Sequence, residues 1–226
     1  MSESQLGVKY AVDLIICIDA TGSMTPVIDL VKSSALSFYK DLEDRMKKNQ
    51  KNVDQIRAKV IVFRDYWADK PDEVMVSSEF FDLREQSSEY ANFVSLIDAK
   101  GGGDEPENGL EALAMALNSE WEKGQNFAKQ RHIIVVYTDA SAHSLEKEPK
   151  PNYYPSDIPK NLDELTDAWL EMSDSAKRLL LFAPDANPWT VIASSWEQTI
   201  HYPSKAGEGL QEFENEEIIA AIVNSI

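Results

Sequence analysis

The segment Ala11–Met24, with the sequence AVDLIICIDATGSM, gives the clearest indication of the fold class of this chain. Its first part, Ala11–Ile18, is apolar except for Asp13 and rich in β-branched residues, which predicts a strand buried on both faces. Its second part, Asp19–Met24, is polar and contains a glycine, which predicts a tight connection into a helix. A buried strand that leads directly into a helix is typical of α/β proteins with a parallel sheet.

Outward from this stretch, short apolar runs alternate with segments of helical periodicity, and no internal repeat is present. Further strands are predicted at Ile56–Phe63, Val74–Phe81, His132–Thr138, Arg178–Ala183 and Gln198–Tyr202. Helices are predicted at Pro26–Met46, Ser88–Ile97, Glu107–Trp121, Leu162–Met172, Trp189–Trp196 and Glu216–Ile226. This alternation predicts a parallel sheet with helices on either side.

One connection departs from the parallel pattern. The link Arg64–Glu73 is too short to hold a crossover helix, so Ile56–Phe63 and Val74–Phe81 should pair antiparallel, with the latter at an edge. The predicted fold class is therefore α/β: a three-layer, doubly wound, mostly parallel sheet with one antiparallel edge strand. We expect one domain over residues 1–226.

The charge balance excludes some classes of partner. With 22 basic and 39 acidic residues the net charge is −17, so nucleic acid and anionic membranes would repel the chain. The N-terminus lacks the features of a signal peptide, and no apolar run is long enough to span a bilayer, so we expect a cytoplasmic protein. The single cysteine, Cys17, lies in the first predicted strand and should be a buried, inert thiol.

The residues that follow the first strand carry chemistry. Asp19, Thr21 and Ser23 alternate along the chain, so one carboxylate and two hydroxyls can point into the same small volume. All three are hard oxygen donors of the kind that Mg²⁺ requires. The alternative is structural: a hydroxyl caps the next helix, and Asp19 complements the helix dipole.

Two later loops lead to the same edge of the sheet, where ligands bind in such folds. Asp139 follows the predicted strand His132–Thr138 directly. Asp104 follows three glycines, Gly101–Gly103, before the predicted helix Glu107–Trp121. Asp104 could also cap that helix, with Pro106 and Glu107 in the first turn, and capping does not exclude ligation.

The Asp-x-Thr-x-Ser run resembles the metal-ion-dependent adhesion site of von Willebrand factor A domains. That family usually has Asp-x-Ser-x-Ser, a Thr from a second loop and an Asp from a third. The resemblance implies five ligands: Asp19, Thr21, Ser23, Asp104 and Asp139. More narrowly, Ile18–Met24, Phe63–Tyr66 and Gly101–Glu107 look like the A domains of some α-kinases and their bacterial relatives.

This resemblance implies a module that binds an unidentified protein partner through Mg²⁺, with Mn²⁺ or Ca²⁺ as alternatives, and that has no catalytic residues. Asp104 stands where the family usually has Thr, so three carboxylates would surround the ion and leave the site at a formal charge of −1. We expect the metal to be held more firmly than in adhesion relatives, and the partner need not supply a carboxylate.

Two alternatives to this function stay open. One is a Mg²⁺-dependent phosphohydrolase of haloacid-dehalogenase type, although Thr21 stands where those enzymes have an acidic residue. The other is a structural domain whose acidic site is empty. Serine or cysteine nucleophilic catalysis has no support, because Cys17 lies inside a predicted strand and Ser23 has no histidine base that is evident from the sequence.

Residues of neighbouring loops are candidates to contact a partner. They are Arg64, Asp65, Tyr66, Trp67, His143, Tyr153, Tyr154 and Pro184–Pro188. For the two tyrosines Tyr153 and Tyr154 the alternative is that they fold back on the domain, and His143 is interpreted as a solvated loop histidine.

Overall fold

The computed structural model describes residues 9–26, 28–48, 53–103, 105–124, 127–206 and 214–226. Within these ranges one sheet is formed by β1 (Tyr10–Asp19), β2 (Val53–Phe63), β3 (Met75–Ser77), β4 (Phe81–Asp82), β5 (Lys129–Tyr137), β6 (Lys177–Pro184) and β7 (Thr199–Ser204). The helices are α1 (Ile28–Lys48), α2 (Ser87–Ser95), α3 (Gly109–Leu117), α4 (Leu162–Glu171), α5 (Trp189–Ser195) and α6 (Asn215–Asn224). A short 3₁₀ turn, Gly22–Met24, lies between β1 and α1.

The sheet has the strand order β3-β2-β1-β5-β6-β7, with β4 also paired to β2. The strand β1 is parallel to both of its neighbours, and β5, β6 and β7 are parallel to one another. All ten residues of β1 are buried, as the apolar run predicted. The predicted fold class, mostly parallel with an antiparallel edge, is confirmed.

Alternate residues of β1 enter two separate cores, because successive side chains of a strand point to opposite faces. Leu14 and Ile16 lie in the core that α1, α2 and α6 cover. Ile15 and Cys17 lie in the core that α3, α4 and α5 cover. The Cys17 thiol is fully buried, and this burial raises its pKa far above the usual value.

The predicted strand Val74–Phe81 is instead two short strands, β3 and β4, which both pair antiparallel with β2. The interruption lies at Ser78, whose backbone N–H donates to the Val60 carbonyl at 2.9 Å. The Ser78 hydroxyl accepts from the Val60 N–H at 3.0 Å, where the backbone carbonyl of a regular strand would accept. The edge is therefore antiparallel as predicted, but broken where a side chain enters the ladder.

The predicted helix Glu107–Trp121 is wrong at both ends, since α3 spans Gly109–Leu117 with Asn108 as its N-cap. Glu107 is held by a bridge to Ala142 instead: its N–H donates to the Ser141 carbonyl, and its carbonyl accepts from the His143 N–H. Pro106 and Glu107 therefore precede the helix. At the other end Trp121 is buried in the core although the helix has ended, which explains the misleading apolar spacing.

No helix in the described part of the chain is long and apolar enough to cross a membrane.

Candidate metal centre

The candidate site lies where β1 and β5 end side by side. The two strands are parallel and in register, with Ile18 opposite Tyr137. Asp19 at the end of β1 and Thr138 and Asp139 after β5 therefore leave the sheet at the same edge. The 3₁₀ turn that follows β1 brings Ser23 back over this edge.

A run of close contacts between hydroxyls and carboxylates joins the two strand ends. Asp19 Oδ1 accepts from the Thr21 N–H at 2.9 Å and from the Thr21 hydroxyl at 2.6 Å. The Thr21 and Ser23 hydroxyls are 3.2 Å apart, and the Ser23 hydroxyl donates to Asp139 Oδ1 at 2.8 Å. Asp19 Oδ2 accepts from the Thr138 hydroxyl at 2.6 Å. Four of the five predicted ligands thus lie together, and Thr138 is an addition that the sequence did not single out.

The depth of these side chains differs. Asp19, Thr21 and Asp139 are buried, whereas Ser23 is exposed. Burial raises the pKa of Asp19 to about 6, although hydrogen bonds from Thr138 and Thr21 work in the opposite direction. Among the described residues no lysine, arginine or histidine is paired with Asp19. The site is therefore a buried carboxylate with an opening to solvent on the side of Ser23.

The glycine loop packs against the first site loop. The Gly22 N–H donates to the Gly101 carbonyl at 3.1 Å, and the Gly102 N–H donates to Asp69 Oδ2 at 3.0 Å. Gly102 has φ +78°, and a Cβ there would lie 2.9 Å from the Thr21 Cβ. Only glycine fits this close approach. Asp104, the fifth predicted ligand, lies outside the described residues, and its role stays a prediction.

Glu107 also faces this region, although the helical periodicity predicts that it belongs to a helix. Its side chain is buried, and Oε2 has no hydrogen-bond partner. Burial raises the pKa of Glu107 to about 9, and the charges of Asp19, Asp65, Asp69 and Asp139 add to the effect. Helical periodicity could not reveal this residue, because its position depends on the long-range bridge to Ala142; its place just after the glycine loop was the only available signal.

Arg64 holds two of the site loops in place. It is buried, and its guanidinium donates to the carbonyls of Ala20 at 3.0 Å, Lys100 at 3.0 Å and Asp98 at 2.8 Å. These bonds tie the residue after Asp19 to the residue before the three glycines. Arg64 is therefore part of the framework and is not available to a partner.

The aromatic residues of the neighbouring loops fold back on the domain. The Tyr153 hydroxyl donates to the carbonyls of Tyr66 and Asp69, and the Tyr154 hydroxyl donates to Glu111 Oε1 at 2.8 Å. The partner-contact prediction is thus replaced by its alternative for both tyrosines.

His143 is not a solvated loop histidine either. It is buried, and its Nε2 lies 3.4 Å from Asp65 Oδ1. Burial of Asp65 opposes its ionisation, but hydrogen bonds from His143 and the Trp67 N–H outweigh burial and hold the pKa of Asp65 below its usual range.

The donor atoms fit a hard divalent cation. The converging groups are two carboxylates and two hydroxyls, all oxygen, and no softer nitrogen or sulfur ligand is among them. Within the described ranges no group of three histidine, cysteine or acidic side chains could by itself hold a metal. A cation here would therefore depend on the hydroxyls and on water as well as on the carboxylates.

Comparison with known proteins identifies the family of the chain. A family model described as the von Willebrand factor A domain matches residues 13–150. The chain is 27% identical over 159 residues to the α-protein kinase vwkA of Dictyostelium discoideum, which covers 69% of this chain but only 23% of that kinase. The part that matches this kinase is thus less than a quarter of its length.

Solved structures share the fold at low identity. The pilus adhesin SpaC from Lactobacillus rhamnosus GG, in its open conformation, has a TM-score of 0.57 and 12% identity, covering 98% of this chain and 30% of the adhesin. Proximal thread matrix protein 1 from the mussel byssus has a TM-score of 0.50 and 13% identity, covering 96% of this chain and 46% of that protein.

Proposed function

Because the chain belongs to the von Willebrand factor A domain family, we propose that it is a protein-interaction module that binds its partner through a divalent cation. Membership of the family supports a role in protein interaction in general, and the metal-dependent mode is our inference. The described residues that would hold the cation are Asp19, Thr21, Ser23 and Asp139, with Asp104 as a fifth ligand. Mg²⁺ is the ion that these oxygen ligands favour, and Mn²⁺ or Ca²⁺ are alternatives.

The observation that carries this proposal is the position of two hydroxyls between two carboxylates that come from different strands. Thr21 donates to Asp19, Ser23 donates to Asp139, and the two hydroxyl oxygens lie 3.2 Å apart. When bound, the cation offers an open coordination position to an oxygen atom of the partner. The exposed Ser23 marks the side from which such an atom arrives.

The charge of the ligands bears on what the partner must supply. Asp19 and Asp139 would neutralise a divalent cation, and Asp104 would leave the site at −1. An anionic side chain of the partner is then attracted less, so a neutral carbonyl or hydroxyl oxygen is sufficient. Isothermal titration of Asp104→Ala with Mg²⁺ tests this point: the affinity should fall, and an unchanged affinity would remove Asp104 from the ligands.

The function is tested by recovering partners from native lysate with the wild-type chain, in the presence of Mg²⁺ or a chelator. Bands that disappear with chelator and with Asp19→Ala support the proposal. Asp167→Ala is the control, because Asp167 is an exposed acidic residue on α4 and belongs to none of the candidate site or partner loops. Partners that bind equally to all three proteins with chelator present would contradict a metal-dependent mode.

Neither alternative function gains specific support. A phosphohydrolase of haloacid-dehalogenase type needs a free carboxylate nucleophile, but both Asp19 oxygens accept short hydrogen bonds. The hydroxyl of Thr21, at the position of the acid in those enzymes, donates to Asp19. Phosphomonoester hydrolysis above a metal-free blank would revive this alternative, and failure to bind any divalent cation would favour the structural domain.

A further inference from the structure

Glu107 is a buried carboxylate that the predicted ligands do not include. Its side chain is only 4% exposed, and its Oε2 has no hydrogen-bond partner. Its backbone is fixed on both sides, by the Ser141 carbonyl and the His143 N–H, so the side chain cannot swing away with its loop. A buried acceptor without a donor is unfavourable, which indicates that a donor is missing at this point.

The carboxylate lies beside the first site loop. The position that a Cβ of Gly102 would take is 2.9 Å from Glu107 Oε1 and also 2.9 Å from the Thr21 Cβ. Only the space of a methyl group therefore separates Glu107 from Thr21, and glycine keeps that space free. The fixed backbone and the gap at Gly102 keep the carboxylate, through Oε1, next to Thr21 of the candidate site.

Glu107 does not form a three-carboxylate site together with Asp19 and Asp139. Among the described residues no three acidic, histidine or cysteine side chains are close enough to hold one ion. This absence favours an indirect contact of Glu107 with an ion that Asp19 and Asp139 hold. Mg²⁺ usually keeps several of its waters when it binds to a protein, and each such water has hydrogens to donate.

We propose that Glu107 accepts a hydrogen bond from a water bound to the cation, and that it is a positioning residue of the metal site. The inference rests on the proposed function, because it requires a cation between Asp19 and Asp139. Groups that hold the ligands of a metal in this way commonly contribute a factor of 10–100 to its affinity. Glu107 would also favour a hydrated Mg²⁺ over Ca²⁺, which gives up its water more readily.

The test compares Glu107→Gln with Glu111→Gln by isothermal titration with Mg²⁺. Glu111 is a matched control, since it is also fully buried with an unpartnered Oε2, but its other oxygen accepts from the Tyr154 hydroxyl, away from Thr21. We expect Glu107→Gln to weaken Mg²⁺ binding about 10-fold. Glu111→Gln should stay close to wild type. Water-proton relaxation with Mn²⁺ gives a second readout, in which Glu107→Gln should alter the exchange of the bound water.

An affinity of Glu107→Gln equal to wild type would overturn the inference, as would equal weakening by Glu111→Gln, which would show a general effect of buried charge. If Glu107→Gln does not fold, Glu107→Asp keeps the charge but withdraws it from the site, and weaker binding is again expected. Asp19→Ala separates the two proposals. If Asp19→Ala binds Mg²⁺ as the wild-type chain does, the proposed cation site is wrong, and the proposed role of Glu107 is wrong as well. If Asp19→Ala loses binding and Glu107→Gln does not, only the role of Glu107 is wrong.

Discussion

Strand β1 has a buried aspartate near each end, and the two aspartates accept hydrogen bonds from different kinds of donor. Asp13, near the start, accepts two hydrogen bonds from the Arg57 guanidinium, at 2.8 and 2.6 Å, and one from the Glu122 N–H. Asp19, at the end, accepts only from hydroxyls and one amide. The first charge is neutralised by another side chain of the protein, and the second is not.

This difference indicates which of the two aspartates stabilises the fold and which is available to bind a cation. A buried carboxylate is costly unless a positive charge or several donors compensate it. The chain supplies the positive charge for Asp13 but none among the described residues for Asp19, and burial raises the pKa of Asp19 to about 6. We infer that Asp13 stabilises the fold, and that Asp19 is kept for a cation from solution.

The largest effect on stability is expected at Asp13, which is paired with Arg57. Asp13→Ala removes the buried acceptor of Arg57, whose side chain is 20% exposed, and of the Glu122 N–H. The loss of these hydrogen bonds to a charged group costs about 3 kcal/mol. The free energy of unfolding, measured in urea, should fall by that amount, both with and without Mg²⁺. A loss well below 1 kcal/mol would show that the pair at Asp13 is not a stabilising feature, and the contrast with Asp19 would disappear.

The next largest effect is expected at Asp19, which has no positively charged partner among the described residues. It is a change in stability that appears only when Mg²⁺ is present. At a Mg²⁺ concentration 100 times the dissociation constant, the cation should stabilise the wild-type chain by about 2.7 kcal/mol. Asp19→Asn should remove this gain while changing the stability without metal by only about 1 kcal/mol, because its amide keeps the shape and one acceptor oxygen. Thermal melts with Mg²⁺ and with chelator measure both quantities. A Mg²⁺-dependent gain that survives in Asp19→Asn would sink the assignment of Asp19 as a ligand.

The contrast between the two aspartates could be only partly predicted from sequence. The run Ala11–Ile18 indicates that Asp13 is buried, and the strand-to-helix junction marks Asp19 as a candidate ligand. The partner of Asp13 is on β2, at a position that depends on the register between Asp13 and Arg57. The hydrophobic pattern of a strand excludes a slip of one residue, but a slip of two residues keeps the same faces, so the pattern alone does not place Arg57 opposite Asp13.

The same limit explains the errors in the site loops. Parallel strands bring their carboxyl ends to one edge, so Asp19 and Asp139 could be placed together without a structure. Glu107 and the tyrosines Tyr153 and Tyr154 lie in irregular segments, fixed by contacts with residues far away in sequence. Such contacts leave no periodic pattern in the sequence. At Glu107 the helical spacing predicted a helix, but the helix begins only at Gly109.

A smaller effect is expected from removing a single hydroxyl of the site. Ser23→Ala deletes the group between Thr21 and Asp139, and the affinity for Mg²⁺ should fall about 10-fold, equivalent to about 1.4 kcal/mol. Thr25→Val is the matched control, because the Thr25 hydroxyl lies in the same turn but donates to the Gly22 carbonyl. Equal affinity of Ser23→Ala and wild type, measured by titration calorimetry, would restrict Ser23 to the structural role of joining the two loops.

The smallest effect is expected in the pH dependence of stability, and it concerns His132, which lies opposite Asp13 in the sheet. Burial lowers the pKa of His132, although a hydrogen bond to the Glu122 carbonyl and the charge of Asp13 oppose this shift; Lys123 and Arg57 add to it. The folded chain therefore keeps this ring neutral at a pH where the unfolded chain has taken up a proton. Stability should fall as the pH drops below about 6.5, the value for an unperturbed histidine, and the fall should end near the lower pKa of the folded state. His132→Gln should reduce the loss of stability between pH 7 and pH 5 in chelator, as measured by urea unfolding. An identical pH dependence in both proteins would mean that the folded chain tolerates a protonated His132. Asp13 would then stabilise the positive charge of His132 as well as that of Arg57.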